Sequence, residues 1–204
     1  MAQVTGRTIA ARVLERVLED AAFAAAALDA ELARNPELDG RERALATELT
    51  YGVLRTRTAL EKRIAEFAPK KIKDTPTRVN VLVAAYQLLV LTRIPPFAAV
   101  DAAVRAIRDR RGPRLAGFAN AVLRKLAAKG ERLEGGGAVS APEWLRERLV
   151  AVVGVEETNA LLGGAERGTK TALRILGGRP LPAFLERAEG GRVSPRARRV
   201  ERAG

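Results

Sequence analysis

Apolar side chains recur every three or four residues through most of the first 130 residues, which is the spacing that lines one face of an α-helix. The first such stripe lies in Thr5–Ala27 and consists of Ile9, Val13, Val17 and Leu18. No segment before residue 130 alternates convincingly between apolar and polar side chains, as a half-buried strand would. The pattern therefore predicts an all-α domain.

Start and stop signals divide this region into successive helices. Asp39 followed by Glu42 is typical of an N-cap with a reciprocal partner three residues later. The periodic pattern that follows predicts a helix ending near Arg57 and another over residues 59–67. Thr75-Pro76 predicts a further helix start, because a proline in the first turn loses no hydrogen bond.

Proline and glycine mark the remaining helix boundaries. Pro95-Pro96 predicts a turn before a helix that begins at Phe97. The last strongly periodic helix is predicted over Leu115–Lys129, with Gly130 as its C-terminal stop. Its apolar face is predicted to bury Phe118, Val122, Leu123 and Leu126.

The composition changes after residue 130. Gly135–Gly137 predicts a hinge, and Ser140 with Glu143 predicts the start of another helix, whose Trp144 is expected to anchor this segment on the first domain. Farther along, the pattern predicts a strand over Thr171–Leu176 and a short helix over Leu181–Ala188. The tail Arg192–Gly204 holds five arginines and little apolar content, so it is expected to be disordered or to continue into something larger.

The net charge of the chain indicates which class of partner it binds. The 204 residues include 36 Lys+Arg against 24 Asp+Glu, a net charge of +12. A protein of that charge attracts polyanions, with nucleic acid the first candidate and an acidic membrane surface the second. Arginine enrichment from a GC-rich genome is the alternative explanation.

The chain contains no cysteine and no histidine. This excludes thiol nucleophiles, disulfides, Cys/His zinc sites and Ser-His-Asp catalysis. No stretch is long and apolar enough to predict a membrane span, and the first residues do not have the pattern of a secretory signal, so we expect a cytoplasmic protein.

Four short motifs in this order resemble those of the NusB-like helical RNA-binding domain. They are Tyr51-Gly52-Val53-Leu54-Arg55, Tyr86-Gln87-Leu88-Leu89, Thr92-Arg93-Ile94-Pro95-Pro96 followed by Ala99-Val100, and Gly117-Phe118-Ala119-Asn120-Ala121-Val122-Leu123-Arg124. The resemblance is closest to the version at the front of the RsmB (Sun/Fmu) family, bacterial enzymes that methylate carbon 5 of a cytosine in small-subunit ribosomal RNA. It covers residues 5–133 and implies two packed helical subdomains that bind RNA.

Ser140–Leu145 and Ala172–Ile175 resemble the segment that leads from that domain into the methyltransferase core. The resemblance thus divides the chain into a helical RNA-binding domain over residues 5–133 and a small mixed linker segment over residues 140–204. A stand-alone antitermination factor of the NusB type is expected to end soon after the helix containing Asn120. The additional residues therefore favour the methyltransferase relative.

One departure from the family bears on catalysis. The family uses a cysteine thiolate to attack carbon 6 of the base, a second cysteine to release the product, and a glycine-rich loop to hold S-adenosylmethionine. This chain has no cysteine, and none of its glycine pairs follows a clear buried strand and opens a helix. We expect that the chain is not an enzyme as it stands, that its catalytic core is absent, and that it needs no cofactor or metal of its own.

Basic side chains are the main candidates for RNA contacts, because Lys and Arg neutralise phosphates and release counterions. By resemblance, the first helix is an arginine-bearing RNA surface, with a solvated helix face as the alternative. A second cluster lies around residue 110, where the helix dipole accounts for two or three of the charges. Phe118 could stack on a base, although core packing is its predicted role, and Asn120 could read a base edge or tie helices together. The predicted RNA-binding residues are Arg7, Arg12, Arg16, Lys70, Lys71, Arg108, Arg110, Arg111, Arg114, Phe118, Asn120 and Arg124.

These observations lead to one main hypothesis and two alternatives. The chain is predicted to dock a small-subunit ribosomal RNA cytosine-5 methyltransferase on its RNA. The first alternative is an antitermination factor that binds single-stranded RNA together with a ribosomal protein. The second is a helical protein–protein adaptor whose positive charge reflects genomic bias alone.

Overall fold

In the computed structural model of the chain, the described residues are 4–68, 70–133, 141, 143–166, 171–174, 176, 180, 185–186, 188–190 and 197–200. Within them the backbone forms eight helices and three short strands. In chain order these are α1 (Gly6–Glu19), α2 (Ala24–Arg34), α3 (Gly40–Ala65), α4 (Thr75–Leu89), α5 (Pro96–Arg111), α6 (Pro113–Lys129), α7 (Glu143–Val153), α8 (Val155–Glu166), β1 (Thr171–Arg174), β2 (Glu189–Gly190) and β3 (Ala197–Val200). The predicted all-α fold is confirmed.

The chain divides into two compact units, Met1–Gly163 and Gly164–Gly204. In the second unit, β3 pairs antiparallel with both β1 and β2, giving the sheet order β1-β3-β2. The predicted strand after Thr171 is confirmed over Thr171–Arg174. The prediction that the whole tail is disordered is wrong, because Ala197–Val200 forms the central strand of the sheet. Strand pairing relies on backbone hydrogen bonds, which need no apolar side chains.

Helix α4 is the centre of the first unit. It contacts α1, α3, α5 and α6, and apolar residues on every side of it, from Val79 to Leu89, are buried. A helix that is apolar all round must be surrounded by other helices, since no face of it gains from water. Its buried amides are bonded within the helix: Asn80 Nδ2 donates to the Pro76 carbonyl at 2.8 Å, and Gln87 Nε2 to the Val83 carbonyl at 2.9 Å.

The helices enclose two adjoining hydrophobic clusters. The larger surrounds α4 and extends to α6, where Leu123 and Leu126 are fully buried. The smaller packs Ile9 and Val13 of α1 against Leu28 of α2. Helix α1 belongs to both clusters, because its Ala10 and Leu14 face the larger one, and this arrangement ties the two cores together.

Two predicted helix boundaries are wrong. The helix that starts at Gly40 does not end near Arg57 but continues to Ala65. Buried Val53, Thr56, Leu60 and Ile64 keep one face of α3 in the core throughout, and the Thr56 hydroxyl donates to the Gly52 carbonyl at 2.8 Å. The polar residues between them lie on the solvent side, so they do not interrupt the helix.

The first predicted helix is shorter than its apolar stripe suggested. It ends at Glu19, and Ala21 adopts a left-handed conformation (φ 52°) before α2 begins at Ala24. The Ala22 N–H donates to the Arg16 carbonyl at 3.3 Å across this turn. No Gly or Pro marks the break, so the sequence pattern did not reveal it.

The predicted N-cap at Asp39 is confirmed, since its carboxylate accepts from the Glu42 N–H at 2.8 Å. The predicted return bond from Glu42 is wrong. The Glu42 carboxylate accepts from the Gly6 N–H at the start of α1 instead. A Cβ at Gly6 would overlap the Glu42 backbone oxygen, so the two helices meet backbone to backbone at this point.

The region after residue 133 differs from its prediction in one respect. Helix α7 begins at Glu143. The predicted hinge Gly135–Gly137 and the residue Ser140 lie outside the described residues. Most of the helix predicted over Leu181–Ala188 also lies outside them. Trp144 is 61% exposed, so its predicted anchoring role is wrong. Of the helices that the structure describes, none is long and apolar enough to cross a membrane.

Tyr86 is buried on α4, and its ring lies directly against Gly52 of α3. Its hydroxyl donates to Glu48 Oε1 at 2.6 Å. Burial of the ring, together with the hydrogen bond to the Glu48 carboxylate, raises the pKa of Tyr86. Gly52 is therefore required by close approach, because any Cβ at this position would overlap the tyrosine ring.

We expect Gly52→Ala to lower the free energy of unfolding by about 1–3 kcal/mol, because the added methyl group must displace the Tyr86 ring. Urea denaturation measures the change. Gly117→Ala is the matched control, because Gly117 lies in the interior of α6 with nothing within 4 Å of an added Cβ. The control should gain about 0.5–1 kcal/mol. Equal stabilisation by both substitutions would contradict the proposed contact.

Candidate nucleic-acid interface

Three concave surfaces of the first unit contain most of the predicted RNA-binding residues. The α5–α6 groove, about 570 Å³, contains Arg108, Asn120 and Arg124. The α1–α4–α5 cavity, about 380 Å³, contains Arg7, Arg12 and Arg110. The lysine-loop cavity, about 290 Å³, contains Lys70 and Lys71 above an apolar floor that includes Ile64 and Leu82.

The α5–α6 groove combines an aromatic ring, an amide, two cations and one carboxylate, Asp101, which pairs with Arg105. On α6, Asn120, Arg124 and Ala127 recur at helical spacing and therefore lie on one face. On α5, the opposite wall runs from Phe97 through Val100 and Val104 to Arg108. Phe97 is 76% exposed, which leaves its ring available to a ligand. An exposed ring beside unpaired cations is the composition of surfaces that bind single-stranded nucleic acid.

The arginines around residue 110 fall into two groups. Arg110 forms a two-pronged ion pair with Glu15 of α1, one bond at 2.9 Å, and this hydrogen bonding raises the pKa of Arg110. Arg111 Nε lies 2.9 Å from Asp74 Oδ1. Arg108 and Arg114, in contrast, have no acidic partner within the part of the chain that the structure describes. Two of the predicted cations are thus partly neutralised by ion pairs within the protein.

The arginines of α1 also differ from one another. Arg7 Nε donates to Gln87 Oε1 of α4 at 2.7 Å, which fixes its guanidinium beside the buried core. Arg12 lies 3.6 Å from Glu31 of α2 and is 46% exposed. Arg16 is exposed and pairs with no acidic residue among those described. Part of the positive charge on α1 is therefore compensated by an acidic residue of a neighbouring helix.

Phe118 contradicts its predicted role. It is 38% exposed, whereas its neighbours Ala119 and Val122 are buried, so core packing is wrong for this residue. Phe118 and Asn120 are adjacent in the predicted motif, but about 200° of helix rotation separates them. They therefore lie on different sides of α6. The side-chain amide of Asn120 makes no hydrogen bond to any described residue, so it does not link α6 to another helix in this structure.

Two kinds of residue at these surfaces are not among the predicted RNA-binding residues. Phe97 was assigned only as a helix start, although a large aromatic directly after Pro95-Pro96 is a signal for an exposed ring at a turn. Asn80 and Gln87 line the α1–α4–α5 cavity. Because they lie among the apolar residues of α4, the sequence pattern did not identify them as site residues. Only the packing of α1 and α5 around α4 brings these amides to a cavity.

Comparisons with known proteins agree with this architecture. Residues 5–128 match the model of the NusB family. The chain is 34% identical over 176 residues to the ribosomal RNA small subunit methyltransferase B of Xylella fastidiosa (strain Temecula1), covering 84% of this chain and 39% of the relative. It is 32% identical over 184 residues to the protein of that name from Xanthomonas campestris pv. campestris, covering 89% of this chain and 41% of the relative. The chain thus spans about two fifths of the length of these relatives.

A solved structure shares the fold. The crystal structure of PH0851 superposes with a TM-score of 0.63 and 16% sequence identity, covering 96% of this chain and 48% of that chain. At this identity the likeness concerns the fold alone.

Asp74 pairs with Arg111 of α5 and lies at the N-terminus of the central helix α4. Its Oδ2 accepts from the Thr77 N–H at 3.0 Å and from the Thr77 hydroxyl at 2.6 Å, which caps α4. Partial burial alone would raise the pKa of Asp74. The hydrogen bonds from Thr77 and the charge of Arg111 outweigh it, so the pKa lies below its usual value.

We expect Asp74→Asn to lower the free energy of unfolding at pH 7 by on the order of 1 kcal/mol. A carboxylate whose pKa is lowered by folding contributes its stability above its unfolded pKa, near 4, and loses that stability as pH falls through the lower folded value. The deficit of the variant should therefore shrink between about pH 5 and pH 3. Denaturation at several pH values tests this, with Asp29→Asn as the control because Asp29 is exposed on α2. A deficit that does not change with pH would contradict the role of the Asp74 charge.

Proposed function

The chain belongs to the NusB family, as the resemblance of its motifs indicated, and on this premise we propose that it docks a small-subunit ribosomal RNA cytosine-5 methyltransferase on its RNA. The division of labour follows the two predicted regions. Residues 5–133 would bind RNA, and residues 140–204 would lead into the catalytic part. This function belongs in the bacterial cytoplasm, where ribosomes are assembled.

The observation that carries the proposal is the α5–α6 groove. Arg108 and Arg124 form no ion pair with any described acidic residue, because Asp101 of the same groove pairs with Arg105, so their pairing with phosphates displaces no internal ion pair. Phe97 supplies a face for base stacking, and Asn120 supplies an unpartnered amide for a base edge. Arg16, Arg114, Lys70 and Lys71 would add longer-range attraction from outside the groove.

The extent of the similarity favours docking over antitermination. The matches to the methyltransferase relatives extend over 176 and 184 residues, beyond the segment 5–128 that matches the NusB family. A factor consisting of the helical domain alone would not need the additional elements. No observation points to a ribosomal protein as partner, and unpaired cations beside an exposed ring speak against an adaptor with merely incidental charge.

S-adenosylmethionine does not fit the described residues. The sheet that the structure describes is antiparallel in the order β1-β3-β2, whereas the expected cofactor site follows a buried strand of a Rossmann-like sheet. The chain also has no cysteine to attack the base. We therefore assign methyl transfer and its cofactor to the portion of the longer relatives that lies beyond the matched region.

The phosphate contacts predict a specific salt dependence. Each phosphate contact on a single strand contributes about −0.7 to the slope of log affinity against log salt concentration. The double substitution Arg108→Gln with Arg124→Gln should therefore make the slope shallower by about 1.4. Fluorescence anisotropy with single-stranded small-subunit ribosomal RNA fragments at several salt concentrations measures this slope.

The matched control is Arg41→Gln with Arg148→Gln, which removes the same net charge from exposed positions on α3 and α7. This control should leave the slope close to that of the unmodified chain. Equal slopes for the two double variants would exclude the groove as the phosphate site. A flat salt response of the unmodified chain would exclude phosphate contacts as the basis of RNA binding.

The stacking contact predicts a different signature. Phe97→Leu should weaken binding by about 1–3 kcal/mol, because an aliphatic side chain cannot stack on a base, while leaving the salt slope unchanged. Phe23→Leu is the control, since Phe23 is 85% exposed just before α2 and does not line the groove. The same anisotropy titration compares both variants, and unchanged affinity for Phe97→Leu would refute the stacking role.

A further inference from the structure

The α1–α4–α5 cavity has a polar floor built from the central helix. Asn80 and Gln87 lie there, 7% and 1% exposed respectively, on a helix that is otherwise apolar in this region. A buried amide is costly unless each of its polar atoms finds a partner. The hydrogen bonds of the floor therefore show what it offers to a ligand.

Both polar atoms of the Gln87 amide form hydrogen bonds, and one of these bonds positions Arg7. Its Nε2 donates to the Val83 carbonyl at 2.9 Å, and its Oε1 accepts from Arg7 Nε at 2.7 Å. This arrangement uses one N–H of the Arg7 guanidinium. The two terminal nitrogens of that group have no partner in the described part of the chain, and they lie on a side chain that lines the cavity.

Asn80 is only half engaged. Its Nδ2 donates to the Pro76 carbonyl at 2.8 Å, which fixes the orientation of the amide. Its Oδ1 accepts no hydrogen bond from any described residue, although the side chain is more than nine-tenths buried and lines the cavity. This oxygen is therefore accessible from the cavity, where it can accept a hydrogen bond from a ligand.

The walls and the rim complete the site. Ala99, Ala102, Ala103 and Ala106 of α5 form a wall of methyl groups, a smooth apolar surface for a planar ring. At the rim, Arg12 is 46% exposed and only loosely paired with Glu31 at 3.6 Å, so it can meet an anion. The volume of about 380 Å³ falls in the range of small-ligand sites.

We infer that this cavity accepts one unpaired nucleotide of the RNA strand, with the base inside and its phosphate at the rim. A ring or amino N–H of the base donates to Asn80 Oδ1, and Arg7 donates to a base acceptor. The phosphate faces Arg12. This inference rests on the proposed RNA-binding function and deepens it, because it adds a base-sized site on the other side of α5 from the α5–α6 groove.

The test fills the cavity without changing its charge. Ala106→Leu extends a half-buried side chain into the space, and Ala121→Leu makes the same change on the exposed side of α6. Anisotropy titrations of the full chain use single strands of about ten uridine, cytidine or adenosine residues, and a strand of equal length that lacks bases. Circular dichroism establishes that each variant is folded, and Ala102→Leu replaces Ala106→Leu if the latter is not.

For the unmodified chain and Ala121→Leu, we expect the base-bearing strands to bind at least tenfold more tightly than the abasic strand. Ala106→Leu should lose most of this difference while retaining abasic binding. Asn80→Leu should also reduce the advantage of the base-bearing strands over the abasic strand, because it removes the acceptor for a base N–H. Free uridine, cytidine or adenosine monophosphate, measured by calorimetry, should bind more weakly than a strand.

Three results would overturn the inference. If Ala106→Leu binds base-bearing strands as the unmodified chain does, while the Arg108 and Arg124 substitutions weaken them, the groove binds RNA and the cavity does not. If a mononucleotide binds as tightly as a strand, the ligand is a free nucleotide. If the unmodified chain binds no RNA, the proposed function itself fails.

Discussion

The burial of α4 on every side constrains most of the first unit. Four helices must approach it closely, and two of these approaches have a local requirement: Gly52 of α3 leaves room for the Tyr86 ring, and the Asp74 cap pairs with Arg111 of α5. Polar groups on a buried helix must find partners inside the protein or face a cavity. The same burial that stabilises the fold therefore places Asn80 and Gln87 where a ligand can reach them.

Net charge alone overstates the surface that is free to bind RNA. The chain has an excess of twelve positive charges, yet several arginines pair with acids from other segments of the chain, as Arg110 does with Glu15 and Arg63 with Glu131. Such pairs position helices, and exposed ones add little stability. In the proposed function, the cations that bind RNA are those without such partners, and in the described chain these include Arg108 and Arg124 on opposite walls of one groove.

Helix α5 separates the two candidate surfaces. Its alanine face, including Ala102 and Ala106, lines the α1–α4–α5 cavity, while Phe97 and Arg108 on another face line the α5–α6 groove. Small residues on one side leave room for the cavity that α1 and α4 also line, and large residues on the other remain available to a partner. In the proposed function, a strand lying across α5 would meet stacking and phosphate contacts on one side and a base-sized site on the other.

The sequence by itself determined the helical fold, the family, the cap at Asp39 and the start of α4, because periodicity, capping residues and short motifs are local signals. It could not determine the turn at Ala21 or the continuity of α3 past Arg57, since both depend on which face each residue presents to the core. It also named Arg110, Arg111 and Phe118 together with Arg108 as one set. Tertiary packing separated them, because an arginine is free or paired according to the acid that a neighbouring helix brings, and a phenylalanine is buried or exposed according to the helix that covers it.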